Sequence, residues 1–220
     1  MIDLRSDTLT LPSEEMLKTI LSAKLGDDGR TNQKGRGEDL TVNELEDLAA
    51  MLTGKEEAVL FSSGTLANTT AVLTYCNPGD KVLVDEMQHI YLSEKVVFEK
   101  SVGQLIPVAY KLNERKTPDL KSLRDLMQQN DIKLLCIENT HNFSGGTCTD
   151  LEELKSIRNL AQEFNIPIHM DGARLFNAAV SLGVEAKDIC QYVDSVMFCL
   201  SKGLGAPVGS LLCGSKDFVK

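Results

Sequence analysis

The chain has 220 residues, 42% of them hydrophobic and 25% charged, which is enough to bury a sizeable core. Its formal charge of −9 argues against nucleic acid as a partner, because binding a phosphate backbone needs a positive face. No apolar run reaches the ~18 residues that span a bilayer, and Met1–Asp7 lacks a basic stretch leading into an apolar one, so neither a membrane segment nor a secretory signal is expected.

In chain order, Gly26–Gly37 is a polar, glycine-rich loop of a length that often carries function. Val42, Leu45, Leu48, Ala49 and Leu52 form a helical stripe. Thr41 and Glu44 read as a capping box at its start, and Gly54 as its end. Ala58–Phe61 is a strand and Gly64–Tyr75 a helix. Asn77–Asp80 is a turn, Lys81–Asp85 a strand, and Tyr91–Phe98 a helical stretch. Leu105–Ala109 is a strand, Leu120–Gln129 a helix, Leu134–Glu138 a strand and Asp150–Glu163 a helix. Ile166–Met170, Val193–Leu200 and Val208–Cys213 are further strands. Strands alternating with helices imply a mostly parallel mixed sheet covered by helices on both faces, an α/β fold. Ligands of such sheets sit beyond the carboxyl ends of the strands.

The six cysteines include no C-x-x-C pair and lie mostly in apolar strand-like runs. That reads as buried, reduced thiols in a cytoplasmic protein. Cys and His are not clustered as a zinc site requires, so no metal is expected.

Several short motifs carry chemistry. Phe198–Pro207 delivers Lys202 after an apolar strand and before a glycine-rich turn. Alone, the same run suits a surface lysine in a loop. Ile166–Arg174 adds a carboxylate, Asp171, and a guanidinium, Arg174, at another strand end. A lysine for a Schiff base and an aspartate for a pyridinium nitrogen is the pairing that pyridoxal phosphate requires. Ser62, Ser63, Gly64 and Thr65, between a strand and a helix, suit a phosphate at a helix N-terminus, although Ser and Thr also cap helices for structural reasons. His89 follows a strand and either stacks on a planar cofactor or rests half-buried at the surface. His141 also follows a strand directly. His169 lies inside a strand on the face of Asp171 and reads as a packing or supporting residue.

Taken in order, Asp3–Thr8, Gly37–Asp39 with Thr41–Asn43, Ser63–Thr65 with Ala67–Asn68, Glu138–His141, Asp171–Arg174 with Asn177–Ala178, and Ser201–Pro207 resemble the threonine aldolase family of pyridoxal-phosphate enzymes. The resemblance covers nearly the whole chain. It implies the large domain of the aspartate-aminotransferase-like fold, with residues 1–30 as an N-terminal arm and loop, residues 31–220 as the cofactor-binding large domain, and the C-terminal small domain of relatives absent. It implies pyridoxal 5′-phosphate as cofactor and Lys202 as the Schiff-base lysine. Asp171 becomes the ring-nitrogen partner and His89 the stacking residue, with Ser63, Gly64 and Thr65 on the phosphate. Ser6 and Arg174 become contacts of the substrate carboxylate, Arg174 also lying near a cofactor oxygen, and His141 becomes the group near the substrate β-hydroxyl.

The implied reaction is retro-aldol cleavage of L-threonine or L-allo-threonine to glycine and acetaldehyde. His141, or His89 through water, takes the hydroxyl proton. β-Elimination on another amino acid and a non-catalytic fragment of the fold are the alternatives. A small β-hydroxy amino acid is the expected substrate, and a homo-oligomer, dimer or tetramer, the expected assembly. Relatives join Gly-Asp-Asp to Gly-Glu-Asp-Pro through a tyrosine. Here Gly26–Asp28 and Gly37–Asp39 are separated by an insertion, the tyrosine is missing, and Leu40 replaces proline, so substrate preference or subunit contacts are expected to differ.

Overall fold

The computed structural model describes residues 3–27, 29–31 and 35–220. Met1, Ile2, Asp28 and 32–34 lie outside the described residues, and with them part of the expected Gly26–Gly37 loop. The strands are β1 (Glu57–Phe61), β2 (Lys81–Asp85), β3 (Ile106–Tyr110), β4 (Ile132–Glu138), β5 (Ile168–Asp171), β6 (Ser195–Cys199) and β7 (Ser210–Gly214). The helices are α1 (Glu14–Thr19), α2 (Leu40–Thr53), α3 (Gly64–Tyr75), α4 (Leu120–Gln129), α5 (Leu151–Glu163), α6 (Leu175–Leu182), α7 (Ala186–Cys190) and α8 (Lys216–Val219).

Among the described residues the strands form one mixed sheet in the order β1-β7-β6-β5-β4-β2-β3. From β3 at one edge, β3, β2, β4, β5 and β6 pair in parallel, each with its neighbour, and β7 runs antiparallel to both β1 and β6. Pro107, which cannot donate to a ladder, sits on the edge strand β3.

Alternate side chains of the central strands point to opposite faces, and both faces are covered. Leu135, Ile137, Met170, Val196 and Phe198 pack on one side with Leu154, Ile157 and Ile189 of α5 and α7. Leu134, Cys136, Met197, Cys199 and Leu212 face the other side, beneath α3. Ala67 and Ala71 of α3 are fully buried; small side chains there let the helix axis approach the sheet closely. No described helix is long and apolar enough to cross a membrane.

Several expectations need correction. Asp39, not Thr41, caps α2: its Oδ1 accepts the Val42 N–H at 3.0 Å. Its other oxygen accepts from Gly26 at 3.0 Å, while Thr41 bonds Lys24, so the cap also ties down the preceding loop. The Tyr91–Phe98 stretch is not one helix. A wide turn at Ile90–Glu94 and a tight one at Val96–Phe98 are separated by Lys95 at φ +56°. The strands expected to begin at Leu105, Ile166, Val193 and Val208 begin later, at Ile106, Ile168, Ser195 and Ser210.

Candidate active site

The parallel strands end at a common edge, and each delivers a polar group there. β4 and β5 pair Glu138 with Asp171, and β5 and β6 pair Asp171 with Met197. Two residues beyond β6 the chain turns sharply, with Gly205 N–H donating to Lys202 O at 2.9 Å and Ala206 N–H to Leu200 O at 3.0 Å. Lys202 sits on that turn, half-buried.

Lys202, Asp171, His89, Ser63, Gly64 and Thr65 line one cavity of about 230 Å³. A neighbouring cavity of about 190 Å³ shares Lys202, Asp171 and His89 and adds Ser6, Arg174, Asn142 and Glu138. A larger cavity of about 330 Å³ lies elsewhere, against α2 and β1, and contains none of these residues.

The floor of the first cavity is the start of α3. Ser63 Oγ accepts the Leu66 N–H at 3.2 Å. Helix geometry leaves the Gly64 and Thr65 amides without an intrahelical acceptor, at the positive end of a 12-residue helix. Space here is tight. A Cβ on Gly64 would lie 2.9 Å from Met197 Cε and 3.0 Å from Cys199 Sγ.

Asp171 is 2% exposed. Its Oδ1 accepts from the Ala173 N–H at 3.0 Å and its Oδ2 from Asn68 Nδ2 at 2.9 Å. His89 bonds Glu94 Oε1 through Nδ1 at 3.1 Å, which raises its proton affinity. Its ring lies nearly parallel to that of Phe143, with centroids 6.2 Å apart. His89, Glu94 and Asp171 offer ligand atoms within 4.8 Å of one another, a set that could hold a cation. All three line the first cavity together with Lys202, so a cation and a larger ligand would exclude each other.

Arg174 is committed to its neighbours. Nε and Nη2 donate to Asp7 at 2.8 and 2.7 Å, and Nη1 to Asn142 at 3.0 Å. The fork thereby pins the N-terminal segment over the site and still keeps two N–H groups in hand. Ser6 Oγ caps the turn at Asp7–Leu9 and reaches the same cavity.

His141 departs from its expected place. It is 4% exposed and lines neither cavity. Nε2 bonds Asp85 at 3.1 Å and Nδ1 accepts the Ser144 N–H at 3.2 Å, so both ring nitrogens are occupied.

Sequence reasoning passed over Glu138 and Glu94. Glu138 accepts the backbone N–H groups of His89 (2.7 Å) and Asn142 (2.8 Å), fixing two loops at once. Burial and the nearby Asp171 charge push its carboxyl up to about 7. A usable signal was its position at the end of a strand beside Asp171. Glu94 had none, because the irregular turn that aims it is not legible in the sequence.

The model of the beta-eliminating lyase family matches residues 3–220. The chain belongs to that family. This beta-eliminating lyase family member is 43% identical, over its whole length, to the low specificity L-threonine aldolase of Escherichia coli K12, of which it covers 65%. It is 36% identical to the low-specificity L-threonine aldolase 1 of Arabidopsis thaliana, again over its whole length and covering 62% of that protein. The chain thus spans less than two thirds of the length of these relatives. Its fold is that of the threonine aldolase of Leishmania major, with a TM-score of 0.79 over 98% of this chain and 63% of that one, at 21% identity.

Proposed function

We propose that this chain is the catalytic portion of a pyridoxal-phosphate-dependent carbon–carbon lyase that cleaves L-threonine or L-allo-threonine to glycine and acetaldehyde. One observation carries the reading: a lysine, a buried aspartate, a histidine and a helix N-terminus converge on one cavity, and that cavity opens beside a second one holding an arginine and a serine.

The residues present suit the cofactor. Gly64 and Thr65 amides would take its phosphate, Asp171 its ring nitrogen, His89 its face and Lys202 its aldehyde. Gly64, Thr65, Asp171, His89 and Lys202 all border the one cavity of about 230 Å³, which supports that fit. When bound, the cofactor would supply the sink for the electron pair released from the Cα–Cβ bond.

The chain's own residues supply the rest. The two uncommitted N–H groups of Arg174, with Ser6, would hold the substrate carboxylate. That anchoring sets which Cα bond is presented for cleavage. His89 lines both cavities and, with Nδ1 held by Glu94, keeps Nε2 for the β-hydroxyl proton. His141 supports the loop from below through Asp85 and Ser144.

The unpaired, mostly buried thiols support a reducing, cytoplasmic setting. Leu4, Leu11, Leu21 and Leu25, each at least 84% exposed, support burial of the N-terminal segment in a homo-oligomer.

The test is borohydride treatment with pyridoxal phosphate, followed by peptide mapping, and then a coupled acetaldehyde assay with threonine. Label at Lys202, absent from Lys202→Ala, together with acetaldehyde release is the expected result. Label without turnover identifies a non-catalytic binder, pyruvate in place of acetaldehyde identifies β-elimination, and no label defeats the reading.

A further inference from the structure

From the wall of the first cavity, which Asn68 and Glu94 help to line, a chain of buried polar side chains runs inward through His169 and Ser195, two residues that the reaction above does not use. Ser195 and His169 are fully buried, and Asn68 is 1% exposed. His169 Nδ1 lies 2.9 Å from Ser195 Oγ, and His169 Nε2 lies 3.1 Å from Asn68 Oδ1. Asn68 Nδ2 donates to Asp171 Oδ2 at 2.9 Å and reaches Glu94 Oε1 and Oε2 at 3.3 and 3.4 Å. Glu94 in turn holds His89 Nδ1.

The donor directions are set by chemistry. The amide nitrogen of Asn68 must face Asp171 and Glu94, because the reverse placing would set its oxygen against two carboxylates. Its oxygen therefore faces His169 and can only accept, so His169 donates from Nε2. Burial holds the imidazole neutral, its pKa pushed down to about 4, and a neutral imidazole carries a single N–H. Nδ1 then accepts from the Ser195 hydroxyl. Each link has one sense only, and the sheet sets the spacing by pairing His169 with Ser195 in register.

A core without function would be as well served by apolar side chains here, since buried polar groups cost free energy unless fully bonded. We propose that Asn68, aimed by His169 and Ser195, is a positioning residue that fixes the Asp171 carboxylate toward the cofactor ring nitrogen and ties it to the Glu94–His89 pair. The group meeting the ring's edge and the group meeting its face are then held as one unit. This rests on the cavity taking pyridoxal phosphate.

The test compares binding of pyridoxal phosphate with binding of its 1-carba analogue, in which CH replaces the ring nitrogen while aldehyde and phosphate remain. The unsubstituted chain is expected to prefer pyridoxal phosphate. In Asn68→Ala and His169→Leu that preference is expected to shrink about tenfold, the scale of one hydrogen bond to a charged group, while analogue affinity stays nearly constant. Ser195→Ala, which removes only a hydroxyl, is expected to change it in the same direction by a smaller factor. Thermal melts confirm folding, and Ser195→Ala decides alone if the other two do not fold. Preference retained in the variants, or equal loss for both ligands, overturns the inference, as does an unsubstituted chain without preference. Failure of the unsubstituted chain to label at Lys202 would instead defeat the proposed function and take this inference with it.

Discussion

Glu138 and His169 lie close to the same carboxylate, and burial shifts them in opposite senses. Glu138, pushed up to about 7 from 4.5, keeps a proton in the folded chain that the unfolded chain releases. Its contribution therefore falls as pH rises from about 4.5 to 7. His169, held down at about 4 against 6.5, stays neutral when folded and is protonated when unfolded, so stability is lost as pH falls from about 6.5 to 4. Each slope amounts to about 3 kcal/mol at full extent, and over their shared window they oppose. Urea unfolding of the cofactor-free chain should give nearly level stability between about pH 4.5 and 6.5. Glu138→Gln should expose the His169 slope and lose stability toward acid; a level profile in that variant would contradict the assignment. At the same scale, His89→Asn is expected to lower kcat by about 10²- to 10⁴-fold if the imidazole handles the β-hydroxyl proton. His141→Asn should act mainly on thermal stability, because its nitrogens are spent on Asp85 and Ser144. Steady-state assays with melting curves separate the two cases.

Among the elements, α3 joins fold to site. Its buried small residues let it lie close on β6 and β7, and the same closeness leaves no room for a side chain at Gly64. Gly64→Ala should push the helix start off Met197 and Cys199 and weaken cofactor binding about tenfold or more, with a smaller loss in melting temperature, as read by fluorescence titration and calorimetry. Helix α5 tests a capping device away from the site, whose Asp150 also accepts from Arg115 Nη2 at 3.1 Å. Asp150 and Glu153 form a reciprocal capping box, Asp150 Oδ1 accepting the Glu153 N–H at 2.9 Å and Glu153 Oε2 accepting the Asp150 N–H at 3.1 Å. Asp150→Ala should cost about 1 kcal/mol in urea unfolding and leave cofactor binding unchanged.

For the molecule as a whole, the sheet core and the N-terminal segment make a sharp contrast. Leu135 is fully buried in the centre of the sheet, and Leu135→Ala should cost about 2–5 kcal/mol. Leu21 is 90% exposed, and Leu21→Lys should change the stability of the isolated chain by less than about 0.5 kcal/mol. Chemical denaturation of both variants checks the pair.

What the amino-acid order determined by itself is what depends on near neighbours. The period of apolar residues set the strands and most helices, the Gly-Thr step after a strand marked the start of α3, and Gly54 ended α2 in the left-handed region at φ +66°. Lys202, Asp171, His89, Ser6 and Arg174 could be singled out because each lies at the end of a strand or in a short motif. The tertiary structure alone decided the rest, because those choices depend on contacts distant in sequence. Asp39 caps α2 with one oxygen and with the other holds Gly26, 13 residues back. His141 turned inward because Asp85, 56 residues away, was waiting for its Nε2. The placing of Asn68 against Asp171, 103 residues apart, follows from sheet order and helix approach, which no local pattern encodes.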